Sequence, residues 1–397
     1  MKKLPLVMAL STAALCTFAS AQNVTLYGKL YPYLEVESGS GPTPAGTTSA
    51  TLAPNPTGLT GVPRVRGMSA GNSYIGFRGR EDLGGGLRAV FQLEGVVLVD
   101  NGAQAGFFFN RNTFVGLDGG FGSVKLGTMD TVFKEYGDTL GILGISSGTP
   151  VSSSNILRKV SFGTSNAARF HERRANSVRY DSPEISGVQA AVQWATQENA
   201  TANLGPAKTL SLGVKYDQGP FYASLAYEIH DNFFGGSVNS PSSMRNNGAA
   251  DLVTSKDTAV QAAFEWRITK GQTVEFDVIK KQYKEGAVVN GRFQNYKNTA
   301  YLVGYEGRFD LWRVMAHYVK SEAGSCSRLN ATCVTTGLEG TQATVGVAYY
   351  LSKRTFVYGA FSQITNGKAA RFAAADFGAP TPGEDVRHVM AGVSHNF

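Results

Sequence analysis

Apolar and polar side chains alternate with a period of two along most of this chain, which is the pattern of β-strands with one apolar and one polar face. In the segment 209–216, written TLSLGVKY, every second residue from Leu210 to Tyr216 is apolar. The alternation recurs in sixteen segments, and it therefore predicts sixteen strands. Their approximate bounds are 24–37, 72–80, 87–98, 108–118, 123–128, 173–181, 188–197, 209–216, 221–230, 257–269, 273–283, 297–308, 311–321, 341–351, 355–364 and 385–397.

The connections between these segments are of two kinds, which alternate along the chain. Short connections rich in Gly, Asp and Pro, such as 81–86 and 217–220, indicate tight turns. The long connections are polar and lie at about 38–71, 99–107, 129–172, 198–208, 231–256, 284–296, 322–340 and 365–384. Strictly alternating lengths are typical of an up-and-down barrel and are rare in a soluble β-sandwich. The sequence therefore predicts an all-β fold, a 16-stranded antiparallel transmembrane β-barrel with its apolar row toward lipid.

The segment 385–397 ends on an apolar face. Val389, Ala391, Val393, His395 and Phe397 share one side of the predicted last strand, because strand side chains alternate. Such an apolar end adds little stability to a soluble domain, whereas it stabilises a strand that faces lipid. We expect this strand to close the barrel beside the first strand.

The first 21 residues are expected to be a signal peptide. Lys2 and Lys3 begin it, an apolar run follows over 4–18, and 19–21, written ASA, has the form of a cleavage site. A membrane anchor is the alternative, but the run is shorter than the ~20 residues that a spanning helix needs. The sequence therefore predicts a signal peptide at 1–21 and one barrel domain at 22–397.

Composition narrows the function. Glycine (47 residues), tyrosine (17) and phenylalanine (23) are abundant, which suits tight turns and aromatic girdles at a membrane interface. The formal charge of +7 becomes +5 without Lys2 and Lys3, and scattered basic residues argue against a nucleic-acid partner. The five histidines lack metal-ligand spacing, and we recognise no nucleophile or phosphate-binding motif. We therefore expect no catalytic residues, no metal and no cofactor.

The expected mature chain has two cysteines, Cys326 and Cys333. Export leads to an oxidising compartment, where a small disulfide loop is the favoured state. Free thiols are the second alternative. A metal site is disfavoured because no histidine or further cysteine lies nearby in the sequence.

Several short motifs together resemble those of a known family. They are LYGK at 26–29, IGFRG at 75–79 with EDLGGGL at 81–87, FVGL at 114–117 with GFG at 120–122, SVRYDSP at 177–183, YLSKRT at 350–355 and HNF at 395–397. In this order and spacing they are similar to the general porins of Gram-negative bacteria, in particular the β-proteobacterial branch. The resemblance covers essentially all of the expected mature chain.

The resemblance implies both a function and partners. Porins of this type are 16-stranded barrels, usually homotrimers, through which ions and small hydrophilic solutes diffuse passively across the outer membrane. The implied partners are outer-membrane lipid, lipopolysaccharide and the barrel assembly machinery, the last through Phe397. A substrate-specific outer-membrane channel for small anionic or sugar solutes is the alternative, because its barrel would look much the same.

The long third connection, 129–172, is expected from the resemblance to fold into the lumen and narrow it. It carries the acidic residues Asp130, Glu135 and Asp138 among apolar and small residues. A connection of this length is normally functional or disordered, and its apolar content argues against disorder. These three carboxylates are therefore predicted to line one side of a pore constriction.

The resemblance also implies a row of basic side chains on the opposite wall. Lys29, Arg111 and Arg174 match its basic positions, Arg179 is a further candidate, and Glu94 matches an acidic residue that holds the row. Basic and acidic groups facing each other across a narrow passage create a transverse field. An excess of basic groups in the lumen favours anions, so we expect weak anion selectivity.

One position departs from the pattern. Similar porins commonly carry arginine just before the IGFRG motif, where this chain has Tyr74. Arg78 and Arg80 lie two and four strand positions after Gly76 and fall on one side of the same strand. We include Arg78 in the predicted basic wall as a compensating charge.

Overall fold

The computed structural model describes residues 24–47, 49–53, 61–103, 108–137, 148–162, 170–201, 205–233, 235–246, 253–374 and 380–397. The predicted signal peptide, 1–21, lies outside the described residues, so its processing stays a prediction.

One antiparallel sheet contains all strands of the described residues. The strands are β1 (Thr25–Leu30), β2 (Tyr33–Ser40), β3 (Val65–Ser69), β4 (Tyr74–Gly84), β5 (Leu87–Val96), β6 (Thr113–Gly119), β7 (Gly122–Asp130), β8 (Arg173–Asp181), β9 (Val188–Thr201), β10 (Gly205–Gln218), β11 (Phe221–Asp231), β12 (Ser255–Thr269), β13 (Gln272–Glu285), β14 (Phe293–Phe309), β15 (Trp312–Ser321), β16 (Ser325–Arg328), β17 (Gly340–Tyr350), β18 (Thr355–Asn366) and β19 (Asp385–Asn396). The helices are α1 (Val132–Gly137), α2 (Ser154–Leu157) and two 3₁₀ turns, Gly236–Asn239 and Ser242–Met244. Within the described part of the chain, these helices are too short to cross a bilayer.

The sheet closes on itself. The last strand, β19, pairs with both β1 and β2, with Lys29 opposite Asn396 and Val36 opposite Val389. β1 and β2 form one wall strand, β3 and β4 form the next, and β16 is a short strand beside β14 in a connection. The wall therefore has sixteen strands, which confirms the predicted 16-stranded antiparallel barrel.

The first two wall strands are interrupted at the same height. Pro32 separates β1 from β2, because proline has no N–H to donate to the ladder. The Tyr31 N–H instead donates to the Ser73 side chain, 2.8 Å away. Gly71 has φ of +58°, and a Cβ there would lie 2.3 Å from the Tyr31 carbonyl oxygen, so only glycine fits. The Tyr31 ring faces the barrel interior, where it is fully buried and stacks on the Tyr358 ring with centroids 4.6 Å apart.

Three connections contain more strand than the sequence indicates. β9 continues to Thr201 and β10 begins at Gly205, so the predicted long connection 198–208 was wrong. The polar residues there lack the apolar alternation, yet the two backbones pair up to Thr201 opposite Gly205. β3 and β16 likewise lie in segments predicted as connections. Backbone pairing beyond the lipid band leaves no hydrophobic signature in the sequence.

The two faces of the wall differ in exposure as the alternation predicts. On β11, Phe221 and Leu225 are exposed on the outer face, whereas Glu228 is fully buried on the inner face. On β19, Val389 and Val393 belong to the exposed outer row. Apolar side chains thus point outward and most charged side chains of the wall point inward.

A hydrophobic core lies inside the barrel. Part of it comes from the third long connection, namely Val132, Phe133, Tyr136, Ile156, Leu157, Val160, Phe162 and Phe170. The inner wall contributes Ile279, Tyr283, Tyr296 and Ala300, among others. Phe162 meets the Tyr296 ring edge-on at a centroid distance of 5.0 Å. On the side of β13 and β14, the inner face of the wall therefore carries apolar as well as polar side chains.

Cys326 and Cys333 form a disulfide, with their Cα atoms 5.6 Å apart. Cys326 lies on β16, opposite Tyr296 of β14. The bridge therefore closes a small loop at the end of the barrel that carries the long connections.

Candidate pore constriction

The helix α1 is fastened to the inner face of the wall by hydrogen bonds. The Phe133 N–H donates to the Ser211 hydroxyl, 2.9 Å away. The Tyr136 carbonyl accepts from the hydroxyls of Tyr222 (2.6 Å) and Ser224 (2.7 Å). Burial, together with the nearby Asp181 carboxylate, raises the pKa of the Tyr136 phenol, which keeps it neutral.

The end of α1 and the segment around α2 are joined through one buried arginine. Arg158 donates to the Gly137 carbonyl (2.6 Å) and to the Gln261 side-chain oxygen (3.1 Å). The Gln261 amide nitrogen also donates to the Gly137 carbonyl, 3.1 Å away. A Cβ on Gly137 would lie 1.9 Å from that amide, so a larger residue there would displace the Gln261 side chain. Lys281 donates to the Leu157 carbonyl at 2.7 Å. The described ends of the connection thus bond to inward-facing residues of β12 and β13.

Glu94, which the resemblance implies holds the basic row, and Arg111 of that row lie together on the inner wall. The Arg111 guanidinium forms an ion pair with Glu94 and donates to the Asn72 side-chain oxygen, 2.9 Å away. The Tyr27 hydroxyl donates to the other Glu94 oxygen at 3.0 Å. The Glu94 carboxylate therefore fixes the Arg111 side chain, in line with the role that the resemblance implies.

Three of the predicted basic residues each lie over a tyrosine ring. Lys29 lies 4.5 Å from the centroid of Tyr31, Arg78 lies 4.9 Å from that of Tyr27, and Arg111 lies 4.7 Å from that of Tyr74. The rings of Tyr27 and Tyr74 meet edge-on with centroids 6.2 Å apart. Arg78, Tyr27, Tyr74 and Arg111 therefore form one continuous series of contacts, which we call the arginine–tyrosine ladder.

A polar cavity of about 640 Å³ adjoins this ladder. Its basic lining consists of Arg78, Arg80 and Lys125, and its acidic lining includes Asp118. Lys125 also pairs with Asp181 at 3.1 Å. Arg80, which the sequence analysis mentions only beside Arg78, and Lys125, which it does not single out, thus share one cavity with Arg78.

Two of the predicted acidic residues, Asp130 at the end of β7 and Glu135 in α1, pair with basic residues of α1 and β8. Glu135 lies 2.5 Å from Arg179, which also contacts Asp181 at 2.6 Å. Asp130 lies 2.9 Å from Lys134 and 3.0 Å from Arg173. Of these partners, the sequence analysis names only Arg179, as a further candidate. Asp138, the third predicted acidic residue, lies outside the described residues.

Arg174 occupies a different part of the inner wall from the ladder. It is buried, with its guanidinium 3.5 Å from the Phe233 ring centroid. A register shift opposite 127–129, with φ of +52° at Asn176, lets Arg174 and Arg179 both point inward although they are five positions apart. Arg174 thus contacts an aromatic ring in the connection after β11, whereas Arg111 contacts the Tyr74 ring on β4.

A second charged cavity, of about 470 Å³, lies at the end of the barrel with the short turns. Its charged lining is Glu265, Arg267, Lys270, Glu306, Arg308 and Arg313. Arg267 contacts Glu265 at 2.7 Å, and Arg308 contacts Glu306 at 3.0 Å. This cluster was not predicted from the sequence, because single charges next to separate turns give no signal that they converge.

Comparison with known proteins adds to this geometry. A family model described as Gram-negative porin matches residues 7–369 of the chain. This chain belongs to the Gram-negative porin family. The porin is accordingly an outer-membrane protein from a family of channels rather than of enzymes.

The porin is similar to major outer membrane proteins of Neisseria. It is 34% identical over 226 residues to protein P.IB of Neisseria meningitidis serogroup B, which covers 56% of this chain and 59% of that protein. It is 32% identical over 226 residues to protein P.IB of Neisseria gonorrhoeae, and the aligned region covers 55% of this chain and 55% of that protein. The matches therefore span somewhat more than half the length of these relatives.

Solved structures share the fold of the porin over nearly its whole length. The anion-selective porin from Comamonas acidovorans has a TM-score of 0.67 at 23% identity, covering 95% of this chain and 100% of that one. OmpF of Salmonella typhi in complex with daunomycin has a TM-score of 0.55 at 15% identity, covering 94% and 97%. At these identities the likeness concerns the fold.

Proposed function

We propose that this porin forms a water-filled channel through which ions and small hydrophilic solutes diffuse passively across the outer membrane, with a weak preference for anions. The observation that carries the proposal is the set of basic side chains on the inner wall, Lys29, Arg78 and Arg111, each lying over a tyrosine ring. A ring orients a cation without cancelling its charge, and the ion pair with Glu94 orients the Arg111 guanidinium in addition. These positions can therefore act on a passing anion.

The third long connection is proposed to narrow this channel. Its support is the set of hydrogen bonds that fasten α1 and the α2 segment to Ser211, Gln261 and Lys281 on the inner wall. Asp130, Glu135 and Asp138 are proposed to supply the acidic side of the constriction. Pairing of Glu135 with Arg179 leaves the Glu135 side chain half exposed, so this carboxylate can still act on solutes.

The assembly and partners are proposed on similar grounds. We propose a homotrimer, which is favoured by the fold shared with a structure described as the trimer form of Vibrio cholerae OmpT. Lipopolysaccharide and other outer-membrane lipids would surround the barrel, and the barrel assembly machinery would bind the last strand through Phe397. The support for this partner is that unpaired strand edges are unstable in lipid, so a machinery that binds the last strand would favour insertion.

The test is reversal-potential measurement in planar lipid bilayers across a salt gradient. The unmodified porin should give steady conductance that no single solute saturates, with anions slightly more permeant. Arg78→Gln with Arg111→Gln should shift the reversal potential toward cations, because two charges leave the inner wall. Arg174→Gln should add to this shift if Arg174 belongs to the same field.

The matched control removes two basic charges from an exposed turn, Lys353→Gln with Arg354→Gln, and should leave selectivity nearly unchanged. An unchanged reversal potential in the wall variant would exclude Arg78 and Arg111 from the selectivity site. Conductance that saturates with one sugar or organic anion would instead support the substrate-specific channel. Absence of any conductance would refute the channel itself.

A further inference from the structure

Three long connections pack together with the third connection over one side of the bore. The first (38–71), seventh (322–340) and eighth (365–384) each supply buried apolar side chains to the core inside the barrel. They include Leu52 of the first, Leu338 of the seventh and Phe372 of the eighth, in one core with Phe162 of the third and with Tyr296 and Ile364 of the inner wall. We call the segments 49–53, 334–339 and 369–374 the cap.

Backbone hydrogen bonds join the cap to itself and to the third connection. The Ala369 N–H donates to the Gly337 carbonyl at 2.9 Å, which links the eighth connection to the seventh. The Arg371 N–H donates to the Ser161 carbonyl at 2.7 Å, which links the eighth connection to the third. Buried backbone groups are costly to leave unpaired. These bonds therefore hold the cap against the segment that is proposed to narrow the channel.

Thr51 links the first connection to the seventh through two hydrogen bonds. Its N–H donates to the Val334 carbonyl at 2.8 Å, and its hydroxyl accepts from the Val334 N–H at 2.8 Å. Val334 directly follows Cys333, whose disulfide with Cys326 ties this segment to β16. Both cysteines also pack against the core. Because a cross-link reduces the conformational freedom of the loop that it closes, the disulfide holds Val334 where Thr51 meets it.

The cap lies on the inner side of the wall. The Phe372 N–H donates to the Asn366 side-chain oxygen at 2.8 Å, and the Asn366 amide donates to the Phe372 carbonyl at 3.0 Å. A Cβ on Gly340 would lie 2.5 Å from the Phe372 ring, so this ring covers the start of β17. The cap thus covers the entrance next to β14–β18, whereas the cavity beside the arginine–tyrosine ladder lies next to β4–β7. Solutes in the proposed channel would pass between the two.

The cap depends on these links because its own packing is weak. Most of its buried side chains are alanine methyl groups, namely Ala50, Ala53, Ala369, Ala370, Ala373 and Ala374. The free energy gained by burial scales with the apolar area that is removed from water, so a methyl group contributes less than a leucine or phenylalanine side chain. A cap of this composition would leave its place more readily if the links were lost.

We propose that Thr51 and the Cys326–Cys333 loop fix the cap in the entrance and thereby set the largest solute that the channel admits. The proposal rests on the proposed function, because only a water-filled channel has an exclusion limit. Both are positioning residues, since they act through the cap and need not touch a solute. Loss of either link lets the cap move away from the third connection, and the entrance then admits larger sugars.

The test is the permeation of neutral sugars of increasing size, measured by the swelling of liposomes that contain the porin. Neutral sugars report size without the effect of the wall charges. Thr51→Val removes the hydroxyl acceptor and keeps the shape of the side chain, so the rate for a trisaccharide relative to a monosaccharide should rise. Thr51→Ser keeps the hydroxyl and should give the unmodified ratio. Thr365→Val, on the outer face of β18 at the same end, is the matched control and should also leave the ratio unchanged.

The disulfide is tested in two ways. Cys326→Ser with Cys333→Ser should raise the same ratio. Dithiothreitol should raise it in the folded, unmodified porin, where it reduces the disulfide to two thiols and is itself oxidised to a cyclic disulfide. The reagent should have no effect on the variant without these two cysteines, which separates the bridge from any other action of the reagent.

The outcomes separate the cap from the channel. An unchanged ratio in both Thr51→Val and the reduced porin would overturn the proposal, because the cap would then keep its place without either link. An equal rise in Thr365→Val would also overturn it, since a general loosening of the barrel would explain the result. Salt conductance in planar bilayers is measured for each preparation. Absence of conductance in the unmodified porin would refute the channel, whereas normal conductance with an unchanged sugar ratio would refute only the role of the cap.

Discussion

At the scale of single residues, Tyr74 shows why the site could be predicted only in part. The resemblance indicates arginine at this position, so the sequence suggests that Tyr74 leaves the basic wall with one positive charge fewer. The structure instead puts the Tyr74 ring under Arg111 and against Tyr27, inside the arginine–tyrosine ladder. Such a contact depends on strand register, and a motif carries no information on which side chains meet across strands.

Substitution of Tyr74 tests whether the ladder positions Arg111. We expect Tyr74→Leu to reduce anion selectivity, because a cation–π contact of about 0.5–2 kcal/mol is lost and the guanidinium gains freedom. Tyr74→Phe keeps the ring and should preserve selectivity. The measurement is the reversal potential of both variants in planar bilayers. Equal selectivity of the leucine and unmodified proteins would remove Tyr74 from the site.

Other residues illustrate the same limit. Glu94 was predicted from the resemblance to hold the basic row without a named partner, and the structure pairs it with Arg111. Glu135 pairs with Arg179, and Asp130 pairs with Arg173. Both pairs depend on the bulge near Asn176, which changes which residues of β8 point into the barrel. The alternation rule assumes that every second residue of a strand faces the same way, so a single inserted residue makes its prediction wrong beyond the bulge.

At the scale of elements, the alternation predicted the wall strands well and the connections less well. Every predicted strand has its counterpart because one face of each must be apolar in lipid. The extensions of β9 and β10 and the short strands β3 and β16 are stabilised by backbone pairing outside lipid, where polar residues serve equally. The hydrogen bonds between the third connection and the inner wall could not be predicted either, because a serine or glutamine in a strand gives no signal that it will bind a distant segment.

The attachment of α1 can be tested at Gln261. We expect Gln261→Leu to loosen the connection, because the buried Arg158 and the Gly137 carbonyl each lose a hydrogen-bond partner, at a cost of about 1–3 kcal/mol. Single-channel recordings should show a noisier open state with larger conductance. Gln363→Leu makes the same change on the outer face of β18 and should leave the recordings unchanged. Identical noise in both variants would mean that Gln261 does not hold the connection.

At the scale of the whole molecule, closure of the barrel brings together residues that are far apart in the sequence. The backbones of Gly28 and Phe397 exchange two hydrogen bonds of 3.1 Å. The Phe397 ring lies over Gly28, since a Cβ on that glycine would be 2.4 Å from the ring. An aromatic ring that covers a glycine on the neighbouring strand is a known device for fixing a sheet edge.

We therefore expect Phe397→Ala to reduce the yield of closed barrel in the outer membrane. The variant loses the cover over Gly28 and the proposed contact of Phe397 with the assembly machinery. Heat-modifiable mobility on gels measures the closed fraction in isolated membranes. Val393→Ala, an exposed outer-face change on the same strand, is the control and should assemble nearly normally. Equal yields would argue against a special role for Phe397.

The hydrophobic core inside the barrel has a consequence for how this molecule responds to its surroundings. Lipid insulates the wall, where each backbone bond has no competing solvent. The side chains of Phe133, Phe162 and Phe170 are buried in this core. Chaotropes and cooling weaken apolar contacts of this kind. The proposed constriction would therefore loosen under such conditions before the wall does.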